Sequence, residues 1–211
     1  MKYSKTYLLG ELIVLFVLIP CLLYFDIPEY IKAGFVVIGI AYVIRTVIKN
    51  QLITRRSFYT LPLKSNWKAI VFRFMVLIIF STILMYLTDN EKLFIVVKTN
   101  PVLWLMVSIL YSVVSVYPQE FLYRSFFFSR YGILLKDPFL LIAVNALVFS
   151  FAHIVFKNLF VLCITLIGGV IFAITFFRTR SLLLTSIEHA LYGSWLFTVG
   201  MGEMLAFPIP Q

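Results

Sequence analysis

Seven apolar runs of about 17 residues or more recur along this chain and decide what it can fold into. They lie near residues 7–25, 31–48, 67–87, 101–128, 138–156, 159–177 and 181–200. A helix rises about 1.5 Å per residue, so each run can cross the ~30 Å hydrocarbon layer of a bilayer. Hydrocarbon offers no water to an open N–H or C=O, so each crossing segment has to close its backbone hydrogen bonds on itself. The runs predict an all-α, polytopic transmembrane bundle of seven, or eight, membrane helices. A chain with 62% hydrophobic and 13% charged residues agrees with that class. The whole of residues 1–211 reads as a single integral-membrane domain.

The charge pattern supports the same reading. The net charge of +9 falls in short segments between the apolar runs and not on one extended face, which excludes a nucleic-acid partner and leaves membrane lipids. With the N-terminus inside, one side collects Lys2, Lys5, Arg45, Lys49, Arg55, Arg56, Lys64, Lys68, Arg130, Lys136, Arg178 and Arg180. The other collects Lys32, Lys92, Lys98 and Lys157. Basic residues stay in the cytoplasm, so the expected orientation is N-in. The first run contains Glu11 and lacks a small-residue cleavage site, so it reads as a retained span and not a signal peptide. Cys21 and Cys163 sit inside apolar runs, and no disulfide framework is expected. The lack of a plant or animal targeting signature suggests a bacterial inner membrane.

Within this apolar chain the stretch YPQEFLYRSFFFSRYG, Tyr117 to Gly132, carries a glutamate and an arginine. Glu120 and Arg124 are four residues apart, a spacing at which side chains on a helix stack and can pair. Ionisable groups are costly in a membrane, so such a pair marks either a site or a buried structural salt bridge. The two histidines, His153 and His189, favour a site. Counted from the cytoplasmic ends of their runs, Glu120, His189 and His153 lie roughly 12 to 22 Å deep, compatible with convergence from three helices. Pro118 is placed to kink or break the Glu120 helix. Asn145, Phe149 and His153 share one face of the fifth run. Gly168 and Gly169 leave room for a neighbouring helix. A carboxylate with two imidazoles suits hydrolysis of an amide, either directly or through a divalent metal such as zinc held by Glu120, His153 and His189. There is no HExxH motif.

The order and spacing of QEFLYR (Gln119 to Arg124), FSFAH (Phe149 to His153) and HALYG (His189 to Gly193) resemble the CAAX-processing and bacteriocin-processing (CPBP, or Abi) family of intramembrane endopeptidases, over roughly residues 101–207. That family carries two adjacent glutamates with an arginine four residues after the second, then FxxxH, then HxxxN. The resemblance implies a membrane endopeptidase acting on a peptide or protein, with Glu120, Gln119, Arg124, His153 and His189 at its site. It departs at two positions. Gln119 stands where the family has the glutamate assigned as base, and Gly193 where it has an asparagine that assists the oxyanion. Glu120 is then the expected base, with Ser194 or Tyr192 as a replacement donor and Glu188 as a second candidate carboxylate. The alternative is an inactive member serving as a membrane adaptor or immunity protein. A transporter or proton relay is disfavoured by the lack of repeated halves.

Glu11, Arg45 and Arg73 are expected to snorkel or to pair between helices, Glu11 with Arg73 among the options. Trp67 and Trp104 read as interfacial anchors. RRSFYTLP reads as a loop touching anionic head groups. Cysteines introduced at Lys157 and at Arg178 test the orientation. An impermeant thiol reagent applied to intact cells is expected to label the first and spare the second.

Overall fold

The computed structural model describes residues 3–53, 65–205 and 207; RRSFYTLP lies outside them. No strand occurs among the described residues. Among the described residues six helices are long and apolar enough to cross a membrane: α1 Lys5–Tyr24, α2 Glu29–Asn50, α3 Trp67–Thr88, α4 Pro101–Tyr131, α5 Pro138–Phe156 and α6 Leu159–Thr179. They match the first six apolar runs. The seventh run forms α7, Leu182–Leu196, which passes into a π-helical turn, Phe197–Met201, broken at Gly200 with φ 108°.

The helix starts follow local chemistry. Asn100, Asp137, Asn158 and Ser181 each accept a backbone N–H of the first turn of α4, α5, α6 and α7, satisfying donors the helix leaves open. Pro101 and Pro138 sit in first turns, where a missing N–H costs nothing. Pro118 does not break α4. The carbonyl it cannot serve, that of Val114, lies in a π-helical turn, Tyr111–Val116, and a second such turn spans Phe121–Phe126.

The chain falls into two compact units, one of residues 1–58 and 121–180, the other of residues 59–120 and 181–211. In the first unit α5 lies directly on α6. A Cβ at Gly169 would come within 3.1 Å of Ala146 Cα and 3.2 Å of its carbonyl oxygen, so any side chain there would push the two helices apart by a few tenths of an ångström. The Ser150 hydroxyl donates to the Leu162 carbonyl at 2.7 Å across the same contact. Phe16 fills the core of this unit with Tyr123, Phe127 and Tyr131 edge-on around it at 5.3 to 5.9 Å. Outside the spans, Lys157 bonds Asp26 at 3.0 Å and holds its carboxyl below the ordinary value.

The second unit is tied by indoles. Trp104 Nε1 donates to Thr198 at 2.8 Å, and Trp195 Nε1 to Ser81 at 2.9 Å. Trp104 is therefore a helix-to-helix tie as well as an anchor near a helix start. Gly200 takes its positive φ where the Lys92 carbonyl leaves no room for a Cβ. Lys92 pairs with Asp89 and Glu203, each at 3.1 Å.

The partition of side chains is that of a membrane protein. Large apolar residues face outward, Ile38 at 67% and Phe72 at 70% exposure, while Glu11, Arg130, Glu120, Arg124 and Glu188 are buried. Among the described residues two further carboxylates are held by arginines, one pair buried on both sides and one with its arginine partly exposed. Arg130 holds Glu11 through Nε at 2.7 Å and Nη2 at 3.0 Å, with the Tyr42 hydroxyl donating to the same carboxylate. Arg73 holds Glu188 at 3.0 Å. Glu11 thus takes Arg130 as its partner, and Arg73 serves another helix.

Gly169→Val is expected to force α5 and α6 apart and cost about 1–3 kcal/mol, read as a lower melting temperature in detergent. Arg73→Met, which strips the cation from a fully buried carboxylate, is expected to cost about 3 kcal/mol. Adding Glu188→Leu should recover more than half of that loss in the same melt.

Candidate active site

Glu120 closes the α-helical turn Tyr117–Glu120 that follows the first π-helical turn of α4, and its side chain is fully buried. Its Oε1 lies 2.9 Å from Nδ1 of His189, which projects from the second turn of α7 and is also buried. A carboxylate only accepts, so Nδ1 is the donor and a neutral ring carries its lone pair on Nε2. This bond fixes the tautomer and orientation of the imidazole, and it gives a charge that would otherwise be stranded in an apolar interior a hydrogen-bonded partner. The juxtaposition predicted from depth alone is therefore realised for this acid and this histidine.

Gln119 donates through Nε2 to Ser115 at 2.8 Å, one turn back on the same helix. Its amide oxygen is buried and has no hydrogen-bond partner among the described residues. An amide oxygen can accept a hydrogen bond from water but cannot take up the proton, so Gln119 is equipped to orient a nucleophile and not to deprotonate it.

Arg124 and His153 belong to the other unit. Arg124 is fully buried; Nη1 donates to Asn145 at 2.6 Å, and the guanidinium lies over the Phe149 ring, 4.7 Å from its centre. Asn145 returns a bond to the Tyr123 carbonyl, so the polar face of α5 reads back onto the Arg124 segment. His153 sits in the 3₁₀ turn Ala152–Phe156, half-buried, with Nδ1 2.8 Å from the Phe149 carbonyl and its ring against the Phe149 ring at 4.9 Å. A carbonyl also only accepts, so this proton too is held on Nδ1 and the lone pair on Nε2. The spacing FxxxH thereby acquires a physical meaning: the phenylalanine carbonyl, one turn earlier, selects the tautomer.

The two donors proposed to replace the asparagine fare differently from expectation. The Tyr192 hydroxyl donates to Glu188 at 2.9 Å, which commits it to the Arg73–Glu188 cluster. Glu188 itself is held by that arginine, as its position 100° round the helix from His189 requires. Gly193, one turn after His189, is occupied in space by a residue that no motif pointed to. A Cβ there would fall on the Tyr111 hydroxyl and within 2.5 Å of Cε1 and Cζ of that ring. Tyr111 packs edge-on to His189 with centres 6.1 Å apart, and on Phe207 at 5.1 Å. A tyrosine in an apolar run carries no local signal; the only clue was the glycine where a side chain was expected.

Among the described residues no group of three His, Cys, Asp or Glu side chains is arranged to hold a metal ion. The two residues in contact, Glu120 and His189, are short of the three protein ligands of a catalytic zinc site. A cavity of about 460 Å³ in the first unit is lined by Tyr3, Lys49, Arg130 and neighbours and includes none of the five candidate residues.

Comparison with known proteins extends the geometry. Residues 100–195 match the family model described as type II CAAX prenyl endopeptidase Rce1-like. No curated protein and no solved structure matches the chain. The matched segment contains QEFLYR, FSFAH and HALYG, so the resemblance drawn from those motifs is borne out over nearly the whole stretch that carried it. With six apolar helices of crossing length, the chain is an integral membrane protein, and at family level the match supports a membrane endopeptidase. Over residues 100–195, a little under half of the chain, the sequence is similar to the Rce1-like family of type II CAAX prenyl endopeptidases.

Proposed function

We propose that this protein hydrolyses a peptide bond of a membrane-associated peptide or protein, with Glu120 as the general base. The observation that carries the reading is the buried hydrogen bond between Glu120 and His189. A purely structural carboxylate in hydrocarbon is more simply held by an arginine, as Glu11 and Glu188 are here. Glu120 has instead an imidazole partner, and a carboxylate so held can act as a general base.

In this reading the Gln119 amide oxygen accepts one hydrogen of a water, and Glu120 takes the other as the water oxygen adds to the scissile carbonyl carbon. The carbonyl electron pair moves onto its oxygen. When the tetrahedral intermediate collapses, the C–N bond breaks and the proton held on Glu120 passes to the leaving amine, restoring the carboxylate. His189 Nδ1–H steadies Glu120 while it is charged. Arg124 keeps the part of the cation favouring the ionised form, and His153 that of the second imidazole, orienting water or oxyanion; both parts are carried over from the family motif. The family description makes a C-terminal prenyl-Cys-a-a-X tail the first substrate to try.

A second reading has its own support. Gln119 and Gly193 replace two side chains of the family pattern, and a scaffold that has lost hydrolysis would act as a membrane adaptor or immunity protein. The two readings part on one substitution. Glu120→Gln is expected to lower cleavage of a quenched fluorogenic prenyl-peptide in proteoliposomes by about 10³-fold. The variant should remain monodisperse and helical in detergent, since glutamine can still accept from His189. Unchanged cleavage would remove Glu120 as the base, and no cleavage by the wild-type chain would remove the endopeptidase reading. A Glu120→Gln and His153→Ala pair that both keep the wild-type cellular phenotype would favour the adaptor.

A further inference from the structure

Resting on that endopeptidase reading, we propose that the Tyr111 hydroxyl is the oxyanion donor of this site, supplying from α4 the hydrogen bond that the family draws from an asparagine on the helix of His189. Three observations lead there. First, Gly193 stands at the asparagine position, and the volume its side chain would fill is taken by the Tyr111 hydroxyl and the adjoining edge of its ring. Second, the ring is fixed on both sides, edge-on to His189 at 6.1 Å with planes 82° apart, and edge-on to Phe207 at 5.1 Å. The hydroxyl is therefore aimed and not free to swing, which is what preorganised stabilisation of a developing charge demands. Third, the hydroxyl lies beside Gly193, one helical turn from His189, whose ring is hydrogen-bonded to Glu120, so a phenol O–H is placed next to the acid–imidazole pair.

Tyr192 and Ser194, the nearer replacements in sequence, fit less well. Tyr192 is spent on Glu188, and nothing fixes Ser194 against His189. Tyr111 precedes Gln119 and Glu120 on the same helix and its ring meets that of His189, the partner of Glu120, so nucleophile orienter, base and oxyanion donor would come from α4 with α7 completing the set. The donor transfers no proton. Its O–H bond persists while the carbonyl oxygen gains charge, and the hydrogen bond strengthens as that charge develops.

The exchange of a glycine and a tyrosine for an asparagine makes a reciprocal test possible. With the prenyl-peptide in proteoliposomes, Tyr111→Phe is expected to lower kcat by about 10²-fold and leave KM within threefold. Gly193→Asn alone should damage both folding and activity, because its side chain meets the Tyr111 ring. Tyr111→Ala vacates that volume, and the double variant Tyr111→Ala/Gly193→Asn should regain at least tenfold in kcat over Tyr111→Ala. A tyrosine that only packs predicts wild-type kcat for Tyr111→Phe and no recovery in the double variant, and either result overturns the proposal. Glu120→Gln run alongside separates the two levels. An inactive Glu120→Gln with a fully active Tyr111→Phe removes the oxyanion donor and leaves the endopeptidase. No cleavage by the wild-type chain removes both.

Discussion

A charge buried in hydrocarbon has to find its counterpart inside the protein, and this requirement governs where the buried carboxylates Glu11, Glu120 and Glu188 lie. Glu11 takes Arg130, Glu188 takes Arg73, and Glu120 takes His189. The first two unions are of permanent charges and hold helices together. The third joins a carboxylate to an imidazole, a partner without a permanent charge. The three carboxylates thus differ in their choice of partner more than in burial, since Glu120 and Glu188 are equally inaccessible.

Close approach of helices is the second condition. α5 and α6 meet at Gly169 with no side chain between them, and Tyr111 reaches the His189 helix because Gly193 leaves the way open. The π-helical turns of α4 serve the same end. A helix interrupted by Pro118 would ordinarily lose a bond and bend; widening the preceding turn absorbs the proline.

The histidines show one device used twice. Each Nδ1 is held by an oxygen that can only accept, a carboxylate for His189 and the Phe149 carbonyl for His153, so each ring keeps its lone pair on Nε2. Such control is the usual preparation of an imidazole for orienting water or a substrate.

Much of this was legible in the sequence. The length of the apolar runs pointed to seven crossing helices, and six of the runs form helices of crossing length among the described residues, because in lipid a stretch of that length has no other way to satisfy its backbone. The rarity of polar residues in those runs brought out Glu120, Gln119, Arg124, His153 and His189. Their order carried the family. Pairing was beyond it: that Glu11 meets Arg130 and not Arg73, that Tyr192 serves Glu188, and that Tyr111 fills the place of an absent asparagine. Spacing along one helix defines a face but not what that face meets, and contacts between residues tens of positions apart are decided by how helices pack. The chain dictated which groups must be sheltered; only the tertiary structure chose which would shelter which.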